Sequence, residues 1–210
     1  MTVSAPSPGT AESITTLTLN PDNPCNATIS ATDGLVLYVA HTDTGKNAST
    51  TRIFNADDVV IASLQWKDTG FSASDKVTLG ERAPVSIGSW LSKSMVPFKD
   101  DVSFKDDTGR RYKWKGNSPG RSLELYTADD NFRQTIARFH KSYIDRKVDP
   151  PALVPAKLLL LPRANEIRDI VVSSFLFLER SRRTGEISIV NRADAIALAS
   201  RGAAVMPALR

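Results

Sequence analysis

The stretch that decides the fold is Asn165–Arg182, which reads NEIRDIVVSSFLFLERSR. Its apolar side chains, stepped by 100° per residue, cover nearly the whole circumference of a helix, and this is typical of a helix buried on all sides. Asn165 suits a helix N-cap, and Arg180 and Arg182 suit the negative end of the helix dipole. The apolar run Ile170–Leu178 is too short to span a bilayer, so we interpret the segment as a core helix and expect no transmembrane segment.

The chain before this helix consists of short runs rich in Val, Ile, Thr, Leu and aromatics, separated by clusters of Asp, Asn, Gly and Pro. That texture predicts strands joined by turns. The twelve predicted strands are Ile14–Leu19, Ala27–Ala31, Leu35–His41, Thr50–Phe54, Val59–Lys67, Lys76–Leu79, Val85–Trp90, Val102–Lys105, Arg111–Lys115, Ser122–Thr127, Thr135–Lys141 and Lys157–Leu161. About a dozen strands and one apolar helix predict a mainly β domain, an antiparallel barrel closed around its C-terminal helix.

The sequence predicts three parts. Residues 1–12 are small, polar and Pro-containing, and they predict a disordered leader without the basic and apolar regions of a signal peptide. Residues 13–183 form the barrel domain, with the central helix over 165–182. Residues 184–210 predict a flexible or weakly helical tail, because their apolar face is weak and dominated by Ala.

Reactive side chains are few in this chain. Cys25 is the one cysteine, so no internal disulfide is possible, which fits a reducing compartment; we expect a cytoplasmic protein, peripheral at membranes. His41 and His140 are the two histidines, too few with one cysteine to favour a metal site. No nucleophile elbow and no nucleotide-binding glycine pattern is present. We therefore expect no catalytic residues, no metal and no cofactor, and a non-enzymatic protein.

Three acidic doublets, Asp57-Asp58, Asp106-Asp107 and Asp129-Asp130, each lie between two predicted strands. Asp bonds readily to nearby backbone in tight turns, and none of the doublets has the alternating oxygen ligands of a calcium loop. The pattern favours turns over calcium sites.

The strings FKDDTGRRYKWKG (residues 104–116) and IARFHKS (136–142), with the helix RANEIRDIVVSSFLFLERSRR (163–183), resemble the fungal family of uncharacterised domains called DUF6593. The layout also resembles the wider tubby-like group, which includes the scramblases and the LURP-one-related proteins. The resemblance implies a twelve-stranded barrel around a hydrophobic C-terminal helix. It implies no activity and no site residues, because the family has none assigned; the lipid binding of tubby-type domains is an analogy of layout.

Positive charge is concentrated in the second half of the chain. Residues 1–100 contain 7 Lys and Arg against 10 Asp and Glu, and residues 101–210 contain 20 against 13. If Tyr112 and Trp114 face inward on a strand, the alternating cations face outward, and the neighbouring strand Thr135–Lys141 adds more. The resulting candidate site for phosphate or lipid comprises Arg111, Lys113, Lys115, Arg138, His140 and Lys141.

Two functions and one plain alternative follow. The first is a binding module that recognises anionic phospholipid head groups or other phosphates through this basic face. The second is a protein-interaction or structural domain that uses loops such as Gly70–Ser74 or Arg146–Pro155. A cationic strand can also be only a solvated surface. Nucleic acid is disfavoured as a partner, because inward-facing aromatics offer no stacking platform.

Overall fold

The structure is a computed structural model that describes residues 14–67, 75–96 and 99–203, with side chains described as far as residue 194. The leader predicted over residues 1–12 and the loop Gly70–Ser74 lie outside the described residues.

Fifteen strands and three α-helices make up the described chain. The first half contains β1 Thr15–Asn20, β2 Ala27–Ser30, β3 Val36–Thr44, β4 Ser49–Asn55, β5 Val60–Trp66, β6 Lys76–Leu79, β7 Val85–Ser86, α1 Ile87–Trp90 and β8 Ser92–Lys93. The second half contains β9 Val102–Lys105, β10 Arg111–Lys115, β11 Glu124–Thr127, a 3-10 turn Ala128–Asp130, β12 Thr135–His140, β13 Tyr143–Asp145, β14 Ala152–Val154, β15 Ala156–Leu160, α2 Pro162–Glu166 and α3 Arg168–Ala203.

Thirteen of the strands form one antiparallel sheet in the order β7-β6-β5-β4-β3-β2-β1-β15-β12-β11-β10-β9-β8. The mainly β class with a C-terminal helix is thus confirmed. Hydrogen bonds do not close the sheet into a barrel within the described residues, because the edge strands β7 and β8 pair only with β6 and β9. The chain passes from one edge strand to the other through α1, whose Ile87 is fully buried.

The helix α3 lies against the sheet and fills its concave side. The ten residues Val171–Arg180 are all buried. Contacts to the helix come from distant parts of the sheet: Phe139 of β12 lies 4.6 Å from Phe175 between ring centroids, and Trp90 of α1 lies 6.3 Å from Phe177. The sheet therefore curves around an apolar segment that has no polar side, as the sequence indicates.

The helical region differs from the prediction at both ends. Asn165 does not cap the central helix, because Pro162 starts the short helix α2 and its fixed φ suits the first helical position. Ile167 ends α2 as its C-cap, and α3 begins at the next residue. At the other end α3 continues to Ala203, through most of the segment predicted as a tail. Gly185 does not stop it, since extending a formed helix is easier than starting one and Glu186 accepts a hydrogen bond from Gly120 N at 3.0 Å.

Some strand predictions also change. The predicted strand Val85–Trp90 is strand only at its first two residues, because Ser86 Oγ accepts a hydrogen bond from Ser89 N (3.2 Å) and caps a helical turn. The hairpin of β13 and β14 forms a separate two-stranded sheet that the sequence did not predict.

The acidic doublets lie in turns, as predicted, but the side chain that accepts the backbone hydrogen bonds is not always an Asp of the doublet. Asp106 and Asp130 accept backbone hydrogen bonds from residues two to four positions ahead. At Asp57-Asp58 the capping side chain is Asn55, which accepts from the backbone of Asp57 and Val59. Each turn is therefore explained by local side-chain acceptors.

A cluster of charged side chains links the end of the buried part of α3 to Asp22, which follows β1. Glu179 is fully buried and accepts hydrogen bonds from Arg182 (2.7 and 2.8 Å) and Arg183 (2.6 Å). Arg183 also pairs with Asp22, which accepts from Ser142 N (2.9 Å) and Ser142 Oγ (2.6 Å). The buried carboxylate of Glu179 is thereby paired and hydrogen-bonded, as a buried charge must be.

Replacing Ser174 by Ala should lower the free energy of unfolding by about 1–3 kcal/mol, because the indole N–H of Trp114 would remain buried without its acceptor. In the structure this N–H donates to Ser174 Oγ over 3.0 Å. Urea unfolding measures the change. The matched control is Ser181→Ala on the same helix, expected within about 0.5 kcal/mol of the parent; equal stability of the two variants would contradict the role of the bond.

Acid should destabilise the fold partly through Asp22. Burial by itself raises the pKa of Asp22, but hydrogen bonds from Ser142 and Arg183 outweigh it, so the pKa lies below its ordinary value. A depressed folded-state pKa stabilises the fold above the unfolded-state pKa of about 3.9, and this contribution is lost as the pH falls through the folded-state value.

We therefore expect Asp22→Asn to be less stable than the parent by about 1–3 kcal/mol at neutral pH and the difference to shrink below about pH 4. Urea unfolding across this pH range measures it. A difference that stays constant with pH would contradict the assignment.

Candidate functional site

The predicted basic face lies on β10 and β12, with β11 between them. Tyr112 and Trp114 are fully buried, so the alternation that places Arg111, Lys113 and Lys115 on the opposite face is confirmed. Across the sheet Lys115 is in register with Glu124, and Glu124 with Arg138. The strand order thus brings most of the predicted cations to one surface.

Much of that surface charge is neutralised by acidic neighbours. Lys113 pairs with Asp101 at 3.5 Å, Arg138 with Glu124 at 2.9 Å, and Lys141 with Glu186 at 3.5 Å. None of these acidic partners was part of the predicted site. Ion pairs of this kind reduce the potential that an anion would experience.

Two of the lysines also pack on aromatic rings. Lys115 Nζ lies 3.8 Å from the centroid of the Tyr126 ring and donates to Phe132 O over 3.4 Å. Lys113 Nζ lies 4.4 Å from the centroid of Phe132. Cation–π contacts thus hold both ammonium groups against the sheet.

Two residues of the predicted site, Arg111 and His140, make none of these contacts. Both are exposed, and among the described residues neither side chain has a hydrogen-bonding or ionic partner. His140 lies at the end of β12, two strands from Arg111 on β10 and at the opposite end of the shared register, so the structure does not bring the two together. Arg111 instead lies at the β9–β10 side of the sheet.

Arg111 has a cationic neighbour that the predicted set omitted. Lys105 of β9 is directly opposite Arg111 in the antiparallel register, and opposite residues share a face. The sequence contained part of the signal, the hairpin turn at Asp106–Gly109; the pairing of Asp106 with Arg110 then places residues 105 and 111 opposite each other. Within the part of the chain that the structure describes, Lys105 also has no ionic partner.

A groove of about 370 Å³ lies beside these two cations. We call it the serine groove; its lining residues are Ser89, Trp90, Ser92, Ser103, Phe104, Lys105 and Arg111. Ser92 and Ser103 are in register across β8 and β9 and present hydroxyls on the face of Lys105. Ser89 Oγ donates to Ser86 O over 2.7 Å and Ser92 Oγ to Gly88 O over 3.5 Å, whereas the Ser103 hydroxyl has no hydrogen-bond partner among the described residues. A free hydroxyl donor beside two cations suits the binding of phosphate oxygens.

Trp90 fixes one wall of the serine groove to the core. Its ring lies 6.4 Å from that of Phe104 and 6.3 Å from that of Phe177 on α3, in edge and tilted geometries. Its indole N–H is buried and has no hydrogen-bond partner among the described residues. The groove is therefore built on the helix-packed core.

Asp106 holds the hairpin that aligns Lys105 with Arg111. Its Oδ1 accepts from Thr108 N and Arg110 N, each at 2.9 Å, and its Oδ2 accepts from Tyr112 Oη at 3.0 Å. Burial alone raises the pKa of Asp106, but these hydrogen bonds lower it below its ordinary value. Burial and the bond to Asp106 raise the pKa of Tyr112 to about 12. Both groups thus keep their charge states at neutral pH.

Among the described residues, no group of three or more His, Cys, Asp and Glu side chains is arranged to hold a metal ion. None of the described helices combines the length and the apolarity that a bilayer crossing requires.

Residues 22–184 match the family described as "Family of unknown function (DUF6593)". The chain belongs to the DUF6593 family. No curated protein matches this DUF6593 chain. Among solved structures it is similar to a protein from Arabidopsis thaliana determined by X-ray crystallography, at 12% identity and a TM-score of 0.46, covering 80% of this chain and 91% of the other.

Proposed function

We propose that this DUF6593 protein is a non-enzymatic binding module for phosphate groups of anionic phospholipids, and that the serine groove is its site. One observation carries the proposal: Lys105 and Arg111 face each other across β9 and β10 without acidic partners among the described residues, beside the hydroxyls of the groove. The other predicted cations support the surface potential, but Lys113, Arg138 and Lys141 are paired with acids.

A membrane surface is favoured as the source of the phosphate by the loop that follows β8. Met95 is 98% exposed and Val96 is 54% exposed, directly after the strand that carries Ser92. Exposed apolar side chains beside a cationic site suit insertion between lipid head groups. Such a module would act in the cytoplasm, bound peripherally at a membrane. We also propose that the curved sheet and its helix correspond to the tubby-like barrel layout.

Lys105→Ala/Arg111→Ala should weaken binding to vesicles of phosphatidylcholine and phosphatidylserine about thirtyfold, since each cation near an anionic surface contributes about 1 kcal/mol. Flotation of the full chain with vesicles measures this. The matched control, Arg138→Ala/Lys141→Ala, removes the same charge but from ion-paired positions, and we expect less than about threefold loss. Equal losses in both variants, or no binding by the parent protein, would contradict the proposal.

The lipid and soluble sources of phosphate are separated by two further arms. Met95→Ser/Val96→Ser should reduce vesicle binding and leave binding of inorganic phosphate, measured by calorimetry, unchanged. Inorganic phosphate that binds the parent while vesicles do not would assign the groove to a soluble phosphate ligand.

The alternative function, a protein-interaction module, is favoured by the β13–β14 hairpin, which the predicted loop Arg146–Pro155 overlaps. Ile144 and Leu153 are cross-strand partners that are 59% and 71% exposed. Exposed apolar pairs are typical of contact surfaces. This function would be preferred if Ile144→Ser/Leu153→Ser abolished binding to a purified partner that Lys105→Ala/Arg111→Ala still bound.

A further inference from the structure

A cleft of about 560 Å³ lies beside the start of α3, apart from the serine groove. Its apolar lining comes from Ile61 of β5, Leu79 of β6 and Ile170 of α3. We call it the helix-start cleft. None of the predicted site residues lines it, and the proposed phosphate binding does not use it.

The inner wall of this cleft contains a polar group that the fold leaves unsatisfied. Ser173 lines the cleft and is 2% exposed. Among the described residues its hydroxyl makes no hydrogen bond, unlike the neighbouring Ser174, which bonds to both Trp114 and Val171. This hydroxyl lines the cleft and has its hydrogen-bonding capacity free, so it can bond to a ligand bound there.

The rim of the cleft is acidic. Glu81, Asp107 and Asp169 line it together with one cation, Arg82. Arg82 pairs with Asp107 at 2.7 Å, and the carboxylates of Glu81 and Asp169 have no direct ion pair among the described residues. Asp169 lies in the first turn of α3, where a negative charge interacts favourably with the positive end of the helix dipole. Glu81, in the turn after β6, is the second carboxylate of the rim.

Asp169 is held in place by a buried phenol. Tyr38 Oη donates to Asp169 Oδ1 over 2.5 Å, and Arg168 Nε donates to Tyr38 Oη over 2.9 Å. Burial and the bond to Asp169 raise the pKa of Tyr38, so this donor stays protonated. The second oxygen, Asp169 Oδ2, has no hydrogen-bond partner within the described chain and can accept from a ligand.

We propose that the helix-start cleft binds an alkylammonium group, with its aliphatic chain against Ile61, Leu79 and Ile170. The ammonium would donate to the carboxylates of Asp169 and Glu81, and the Ser173 hydroxyl would find a partner in the bound state. Apolar walls with a few convergent polar groups are the usual construction of a small-ligand site. The source of the group is a free aliphatic amine or a lysine side chain of a peptide.

The test uses hexylammonium chloride as the probe, titrated into the full chain and followed by amide shifts in NMR spectra. We expect saturable shifts at residues of the helix-start cleft and none with 1-hexanol, which has the same chain length and no charge. Asp169→Asn should weaken binding on the order of fivefold. The control Lys105→Ala should leave binding unchanged, because it lies in the serine groove.

Ser173→Ala gives an independent readout, because loss of a ligand contact and loss of a structural contact have different effects on stability. The variant removes a hydroxyl that has no partner in the described chain and adds no volume, so we expect a Tm no lower than that of the parent together with weaker hexylammonium binding. A lower Tm, equal binding of 1-hexanol, or no saturable shift at the cleft would overturn the proposal. The amide of Nα-acetyl-lysine, compared with hexylammonium, distinguishes the two sources of the group. Tighter binding of the lysine compound assigns the site to a peptide lysine, and weaker binding assigns it to a free amine.

Discussion

The structure depends on the complete burial of the apolar segment Val171–Leu178 inside the curved sheet. A helix without a polar face can be stable only if neighbouring elements cover every side of it. The sheet meets this need with aromatic side chains from strands far apart in the sheet order: Tyr38, Trp114 and Phe139. The curvature of the sheet is thus a consequence of the helix, and both ends of the sheet face the same core.

The same constraint positions the candidate sites. Trp90 packs on Phe177 of the helix and forms a wall of the serine groove, so the groove lies where the sheet edge is fixed to the core. At the start of α3, the bond between Tyr38 and Asp169 fixes the rim of the helix-start cleft. At the other end, Glu179 and its two arginines connect the helix to Asp22.

The main features of the fold were predictable because they depend on periodicity alone. The apolar circumference of the helix and the alternation of Tyr112 and Trp114 with cations are local patterns, and both are present. The helical turn of α1 was not predictable in the same way, since it depends on a single serine cap after a two-residue strand. The extension of α3 beyond Gly185 depends on Glu186 contacting Gly120, a contact across the fold.

The candidate site was predictable only in part for a related reason. Periodicity in the sequence predicts which cations point outward, but the acidic partners of these cations depend on the tertiary fold. Asp101, just before β9, pairs with Lys113 of the neighbouring strand, and Glu186 of α3 pairs with Lys141. Pairing therefore removes residues from the predicted site that periodicity could not remove. Lys105 was accessible to reasoning from the hairpin, since the two strands are joined by the five residues Asp106–Arg110, which place it opposite Arg111.

The most direct test of the central claim is the stability of Phe175→Asp, compared with Ile189→Asp on the exposed part of the same helix. Phe175 is fully buried, with Phe139 4.6 Å away, whereas Ile189 is 59% exposed. An unpaired buried charge costs about 3–5 kcal/mol, so we expect Phe175→Asp to lose its near-ultraviolet circular dichroism and cooperative unfolding while Ile189→Asp keeps both. A Phe175→Asp protein that unfolds as cooperatively as Ile189→Asp would show that the sheet does not depend on the helix.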